Sequence, residues 1–296
     1  MVARAAFVNG EQGALFQILH EPATQPVRGA VLYVHPFAEE LNKSRRMVAL
    51  QARRLAELGY AVLMPDLHGC GDSSGDFSDA RWETWLSDLG QCLEQLQATY
   101  QAPLILWGLR AGCLLISDLL QTREEMPAAT LFWQPVTNGE LHLTQFLRLR
   151  MAAGMIGGAK ETTAQLRARL DAGEVLEVAG YGLAPALAER LAAARLQPPK
   201  AGAVCWLEVT QAESPTLPPA SARVVETWRQ SAEQVGEQVV QPLAESTARQ
   251  TTQHPGIGIQ IKTAVVQGEP FWATQEIREV PALLTVTERA LTEVLG

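Results

Sequence analysis

The segment Gly108-Leu109-Arg110-Ala111-Gly112 joins a demanding backbone to a charged side chain. It follows an apolar run, 103–107, and opens a helical pattern over 111–121. Two glycines around a tip residue predict a sharp strand-to-helix turn, with that residue strained beside a helix N-terminus. Backbone N–H groups at such a terminus favour negative charge. The tip residue is arginine, a permanent cation whose planar fork of donors matches carboxylate and phosphate. The chemistry on offer is therefore recognition or stabilisation of a carboxylate, phosphate or acidic sugar. His35 and Lys43 could add to such a site.

The elements that must carry this turn read as an α/β alternation. Strands are expected at 14–20, 30–34, 60–64, 103–107, 128–133, 202–209 and about 261–267. Helices are expected at 44–58, 82–98, 111–121, 219–234 and 280–295. The central strands are continuous apolar runs, as strands buried on both faces must be. Strands alternating with helices predict a mostly parallel sheet covered by helices on both faces, with right-handed crossovers. The alternation breaks after Pro135, and 141–153, 160–172 and 184–196 look helical. Residues 1–134 and 201–296 thus form the expected core, and 135–200 a helical cap insertion over the carboxyl edge of the sheet, where open α/β sheets bind ligands. Residues 241–258, rich in Gln and Thr, read as a long surface loop.

Composition narrows the function. The 296 residues carry a net charge of −8 without a concentrated basic face, which argues against nucleic acid and anionic membrane surfaces. No stretch is long and apolar enough for a membrane span or a signal peptide, so the cytoplasm is the expected compartment. Cys70, Cys92, Cys113 and Cys205 include no CxxC pair and read as reduced core thiols. The five histidines show no HxxxH or HExxH spacing, and Gly69-Cys70-Gly71 follows the wrong strand for a dinucleotide loop. No metal or cofactor is expected, and no protein partner is indicated.

Two further turns agree with the first. His35-Pro36-Phe37 follows the strand at 30–34, and Asp66-Leu67-His68-Gly69-Cys70-Gly71-Asp72-Ser73 follows the next. In this order the three turns resemble those of the α/β hydrolases, whose elbow reads G-x-S-x-G. Within that superfamily the chain resembles the second type of hydrolase associated with the bacterial exosortase A system. That resemblance rests on residues 35–40, 42–47, 71–77, 107–110, 161–163 and 268–272. It implies a hydrolase of an exopolysaccharide setting, a sheet of about eight strands, and oxyanion-type backbone groups at Pro36 and Ala111.

The resemblance also marks departures. A serine triad needs a hydroxyl, an imidazole and a carboxylate. Arg110 stands where the hydroxyl belongs, and the loop Gly268-Glu269-Pro270-Phe271-Trp272, where the base belongs, holds no histidine. The nearest, His254, precedes the last strand; Glu213 falls near the acid's place. Cys113, Ser73 and Ser74 are better explained as a core thiol and turn formers. Two readings stay open. In one, a water activated by Glu39, Glu213, Glu269 or His35 attacks beside Arg110. In the other, the protein is an inactive relative that binds a partner protein or an anionic or sugar-like ligand at Arg110, or Arg110 bridges Glu213 or Glu269 in a dead site where Glu39 and Glu40 also lie. Trp107, Trp133 and Trp272 fall near strand ends, and Trp133 is a candidate ligand contact. A fluorophosphonate probe is expected not to label the chain, and Arg110→Ser is expected not to restore aryl-ester hydrolysis; labelling of the wild type would reveal an activated serine.

Overall fold

The computed structural model describes residues 2–156, 161–239 and 258–296. A hairpin of β1 (Ala3–Gly10) and β2 (Gly13–His20) precedes β3 (Gly29–Val34). Then follow α1 (Glu39–Glu57), β4 (Tyr60–Pro65), α2 (Trp82–Thr99), β5 (Leu104–Leu109), α3 (Gly112–Gln121) and β6 (Ala129–Trp133). An insertion holds α4 (Gly139–Ile156), α5 (Thr163–Asp171), β7 (Leu176–Val178), β8 (Tyr181–Leu183) and α6 (Pro185–Ala193). The chain closes with β9 (Gly202–Thr210), α7 (Pro219–Val239), β10 (Ile259–Gln267) and α8 (Pro281–Leu295). Among the described residues no helix is long and apolar enough to cross a membrane.

Eight strands form one sheet in the order β1-β2-β4-β3-β5-β6-β9-β10, antiparallel at β1–β2–β4 and parallel elsewhere. β3, β4, β5 and β6 are buried almost throughout. One face is covered by α1 and α8, through residues such as Met47, Leu55 and Leu284. The other is covered by α2, α3 and α7, through Leu89, Ile116 and Trp228. β4 and β5 flank β3 on opposite sides, and their crossover helices lie on opposite faces. The carboxyl ends of β3 and β5 are therefore a topological switch point, where a crevice opens between diverging helix starts.

The two elbow glycines let α3 leave β5 this tightly. A Cβ on Gly112 would lie 2.3 Å from the Val34 carbonyl oxygen, and one on Gly108 would lie 2.9 Å from the Cys113 nitrogen. Real Cβ atoms do not approach backbone so closely, so only glycine lets the turn pack against β3.

Three departures from the sequence reading have physical reasons. β1 lacks inward-facing apolar alternation because it is an exposed edge, fixed by pairing with β2. α1 begins at Glu39 rather than 44, with both glutamates in its first turn, where the helix dipole favours negative charge. The insertion is not wholly helical: β7 and β8 pair antiparallel within it, and three-residue strands are too short to show a period. It enters and leaves side by side, through Gly139 N–H to Ala194 O at 3.0 Å and Leu196 N–H to Thr137 O at 3.1 Å. Residues 241–257, most of the expected loop, and His254 with them, lie outside the described residues.

Candidate functional site

Arg110 sits at the elbow tip with φ 55°, a left-handed conformation that ordinary side chains avoid. Its N–H donates to Trp133 O at 3.0 Å, and its carbonyl accepts from Cys113 N–H at 3.1 Å and Val136 N–H at 3.2 Å. Neighbouring elements thus pin the strained residue. Ala38 and Gln134 also have positive φ, at 48° and 44°. These three residues follow β3, β5 and β6 at the same sheet edge, a clustering expected where backbone strain serves a site.

The side chain of Arg110 is gripped on one edge and one face. Its Nε donates to Glu40 Oε1 at 3.0 Å, across the switch point. Its guanidinium carbon lies 5.5 Å from the Trp272 ring centre, a cation–π contact. Neither outer nitrogen has a protein partner among the described residues. Arg110 lines a cleft of about 190 Å³ together with Glu39, Glu40, His142, Gln145, Phe146 and Trp272.

The charge balance of the cleft is tight. Burial raises the Glu40 carboxyl's pKa, and Arg110 pulls it back. Burial, and then Glu40, raise that of Glu39. His142 is pushed down to about 3, first by burial and then by Arg110, so it is neutral at physiological pH. Its ring lies 5.9 Å from that of Phe37, and Phe146 packs 5.1 Å from Phe37. These contacts seat α4 on the turn after β3. Both ring nitrogens of His142 are buried and have no hydrogen-bond partner among the described residues.

Not every expected site residue reaches the cleft. Arg110, Glu39 and Glu40 do, and Arg110 pairs with Glu40 rather than with Glu213 or Glu269. Glu213 is exposed in the loop after β9. Glu269 bonds Arg278 at 2.9 Å, with both side chains 46% exposed. Lys43 influences Glu39 and Glu40 through its charge but does not line the cleft. His35 is a satisfied core histidine: Nδ1 donates to Pro36 O at 2.8 Å, and Nε2 accepts from Leu67 N–H at 3.3 Å. Pro36 has no N–H and cannot donate to an oxyanion. Ala111 stays at the start of α3, buried. Trp133 is not a ligand contact: it is fully buried, packs edge-to-face with Trp107 at 4.7 Å between ring centres, and donates Nε1–H to Thr287 Oγ1 at 2.9 Å. Cys113 is buried with its pKa raised, which removes thiolate character.

His142 and Trp272 are the residues that the sequence undersold. His142 sits between Leu141 and Leu143, where a histidine reads as core packing. Trp272 stands in the loop where the imidazole base was expected, and its position there was the available signal. Glu208, at the end of β9, was also overlooked; it accepts from Trp206 Nε1–H at 2.6 Å and Gln134 Nε2–H at 3.3 Å, and so braces the strained turn after β6.

A pH dependence follows. Folded His142 titrates near 3 rather than 6.5, so its neutral burial stabilises fully above the unfolded value and is lost as pH falls toward the folded one. Glu39 and Glu40, shifted up, act in the opposite sense, stabilising most at low pH. In His142→Phe the acid-side loss, up to ~1.4 kcal/mol per pH unit, is gone. Its urea midpoint should therefore fall less than that of the wild type between pH 7 and pH 5, and parallel curves would contradict a buried neutral His142.

Residues 25–172 match the family model described as serine aminopeptidase, S33. No curated protein matches the chain in sequence. Among solved structures, Est1E from Butyrivibrio proteoclasticus, seen with ferulic acid bound, is similar with a TM-score of 0.63 and 15% identity, over 98% of this chain and 97% of that one. The α/β hydrolase GrgF from a Penicillium species gives 0.57 and 13%, over 100% and 99%. An α/β serine hydrolase without lid from Xanthomonas campestris gives 0.53 and 15%, over 99% and 93%. These likenesses show the fold. With sheet order, elbow and family model in agreement, the chain belongs to the serine aminopeptidase, S33, family and has the α/β-hydrolase fold.

Proposed function

We propose that the protein works without a serine nucleophile and holds a small anionic or sugar-like ligand in the cleft at the switch point, in the setting of bacterial exopolysaccharide and exosortase systems. The observation that carries this reading is the state of Arg110. Glu40 and Trp272 fix its guanidinium, while its outer nitrogens have no partner among the described residues and the residue lines the cleft. A pre-oriented fork of this kind binds a planar anion with little ordering cost.

The setting is supported by where the resemblance falls. Phe37, Glu39, Glu40, Arg110 and Trp272, from the segments that carry it, all line the cleft. The insertion acts as a cap, since His142 and Phe146 of α4 complete the wall. A net charge of −8 suits a small ligand better than nucleic acid or an anionic membrane, and the cytoplasm is the proposed compartment.

A second reading, hydrolysis by activated water, has its own support. Glu39 lies in the cleft with an upward-shifted carboxyl, the direction a general base working near neutral pH requires. Arg110 would then stabilise the developing negative charge.

Isothermal titration with acetate and D-glucuronate tests the binding reading. At least one is expected to bind the wild type, with affinity falling by about tenfold or more, ~1.4 kcal/mol, in Arg110→Ala. Binding that survives this substitution would move the ligand elsewhere.

A further inference from the structure

Which polar groups of the cleft a guest can reach decides what fits there. Glu39 Oε2, Glu40 Oε2 and both ring nitrogens of His142 are closed off from solvent, so a molecule entering the cleft does not meet them. Glu40 Oε1 is taken by Arg110, and the Glu39 carboxyl accepts its own backbone N–H. Gln145 lines the cleft but is exposed, and water serves its amide as well as a ligand would. Arg110 differs from all of these. Its side chain keeps 17% exposure, and its outer nitrogens have no partner among the described residues. Among the described lining residues, the fork is therefore the charged donor group left for a ligand to complete.

Charge limits that ligand to one negative unit. Arg110 supplies the positive charge of the lining, against the carboxyls of Glu39 and Glu40. Lys43 acts on both glutamates from outside the lining, and His142 is neutral. A monoanion matches the single fork through two parallel hydrogen bonds. A phosphate would bring further negative charge against two carboxyls already crowded beside one cation. Sugar hydroxyls fare no better, because they would lose water at the walls and find the inner acceptors sealed.

The walls favour hydrocarbon instead. Phe37, Phe146 and Trp272 line the cleft from within, each largely buried. Leu149, 38% exposed, and the exposed Ala273 line it nearer solvent. Leu149 follows Gln145 by one turn of α4, so an apolar lip stands beside the amide. A volume of about 190 Å³ is below the ~300–1,000 Å³ of drug-sized sites and suits a short chain or a single ring.

We propose that this cleft binds an apolar monocarboxylate, its carboxylate on the outer nitrogens of Arg110 and its hydrocarbon body against Phe146, Leu149 and Trp272. The inference rests on the reading of Arg110 as a ligand anchor. It adds an apolar requirement and a limit of one charge, neither of which that reading contains.

Isothermal titration of the full chain with hexanoate, acetate, D-glucuronate and inorganic phosphate separates the two. Hexanoate is expected to bind about tenfold or more tighter than acetate, since each methylene withdrawn from water contributes roughly fourfold. It should exceed D-glucuronate and phosphate by about as much. Leu149→Ser should weaken hexanoate by roughly threefold or more, and acetate by less. Equal affinities for hexanoate and acetate, both lost in Arg110→Ala, would overturn the apolar requirement and keep the anchor. D-glucuronate or phosphate binding tighter than hexanoate, again through Arg110, would overturn the ligand class and keep the anchor. Hexanoate binding unaffected by Arg110→Ala would overturn the anchor itself. No binding of any of the four at millimolar concentration would overturn both. Melting curves identify a variant that fails to fold, and Leu149→Ser, at a partly exposed position, leaves the Arg110–Glu40 pair untouched and tests the apolar wall independently.

Discussion

The ion pair between Arg110 and Glu40 is the interaction on which the rest of the site depends. It joins the first turn of α1 to the elbow before α3, two helices that lie on opposite faces of the sheet. It therefore spans the crevice that strand order alone would leave open. Both side chains are largely withdrawn from water, at 17% and 10% exposure. Desolvating such a pair offsets much of its attraction, so its value lies less in net stability than in fixing one arrangement. The arrangement fixed is a cation held at a strained turn, with its Nε edge on Glu40 and its outer nitrogens without a partner among the described residues.

The surroundings make that arrangement rigid. Trp107, Trp133, Phe271 and Trp272 form a chain of contacting rings, with centres 4.7, 6.1 and 5.0 Å apart in turn. The chain runs from the core beneath the sheet to the ring over the guanidinium. Phe37 does the corresponding work on the other side, gathering Phe77, Trp85 and Phe146 around the turn after β3. Side chains locked by packing hold a charged group where a ligand can meet it without reorganisation. The same packing seals Cys113 in the core, and His35 is satisfied by backbone.

Much of the fold was legible because buried parallel strands leave continuous apolar runs. β3, β4, β5 and β6 have them, and the spacing of Gly108 and Gly112 announced the elbow. β1 was not legible, because an exposed edge strand is set by its neighbour rather than by its own pattern. The partner of Arg110 was harder. Glu39, Glu40, Glu213 and Glu269 all follow strands that end at the same edge, and nothing in their spacing says which carboxylate reaches inward. Starting α1 five residues early turned Glu40 from a loop residue into a buried one. His142 and Trp133 show the same limit from opposite sides. Both lie in apolar contexts, yet α4 turns one toward the cleft while β6 buries the other entirely.

A double-mutant cycle on Arg110→Met and Glu40→Gln, followed by urea unfolding, measures the central interaction most directly. Each single substitution leaves a buried polar or charged partner behind and is expected to cost roughly 3–5 kcal/mol. The double substitution should cost clearly less than their sum, by at least ~1.5 kcal/mol. Additive costs would mean that the two side chains do not act as a pair, and that Arg110 is held in the cleft by something other than Glu40.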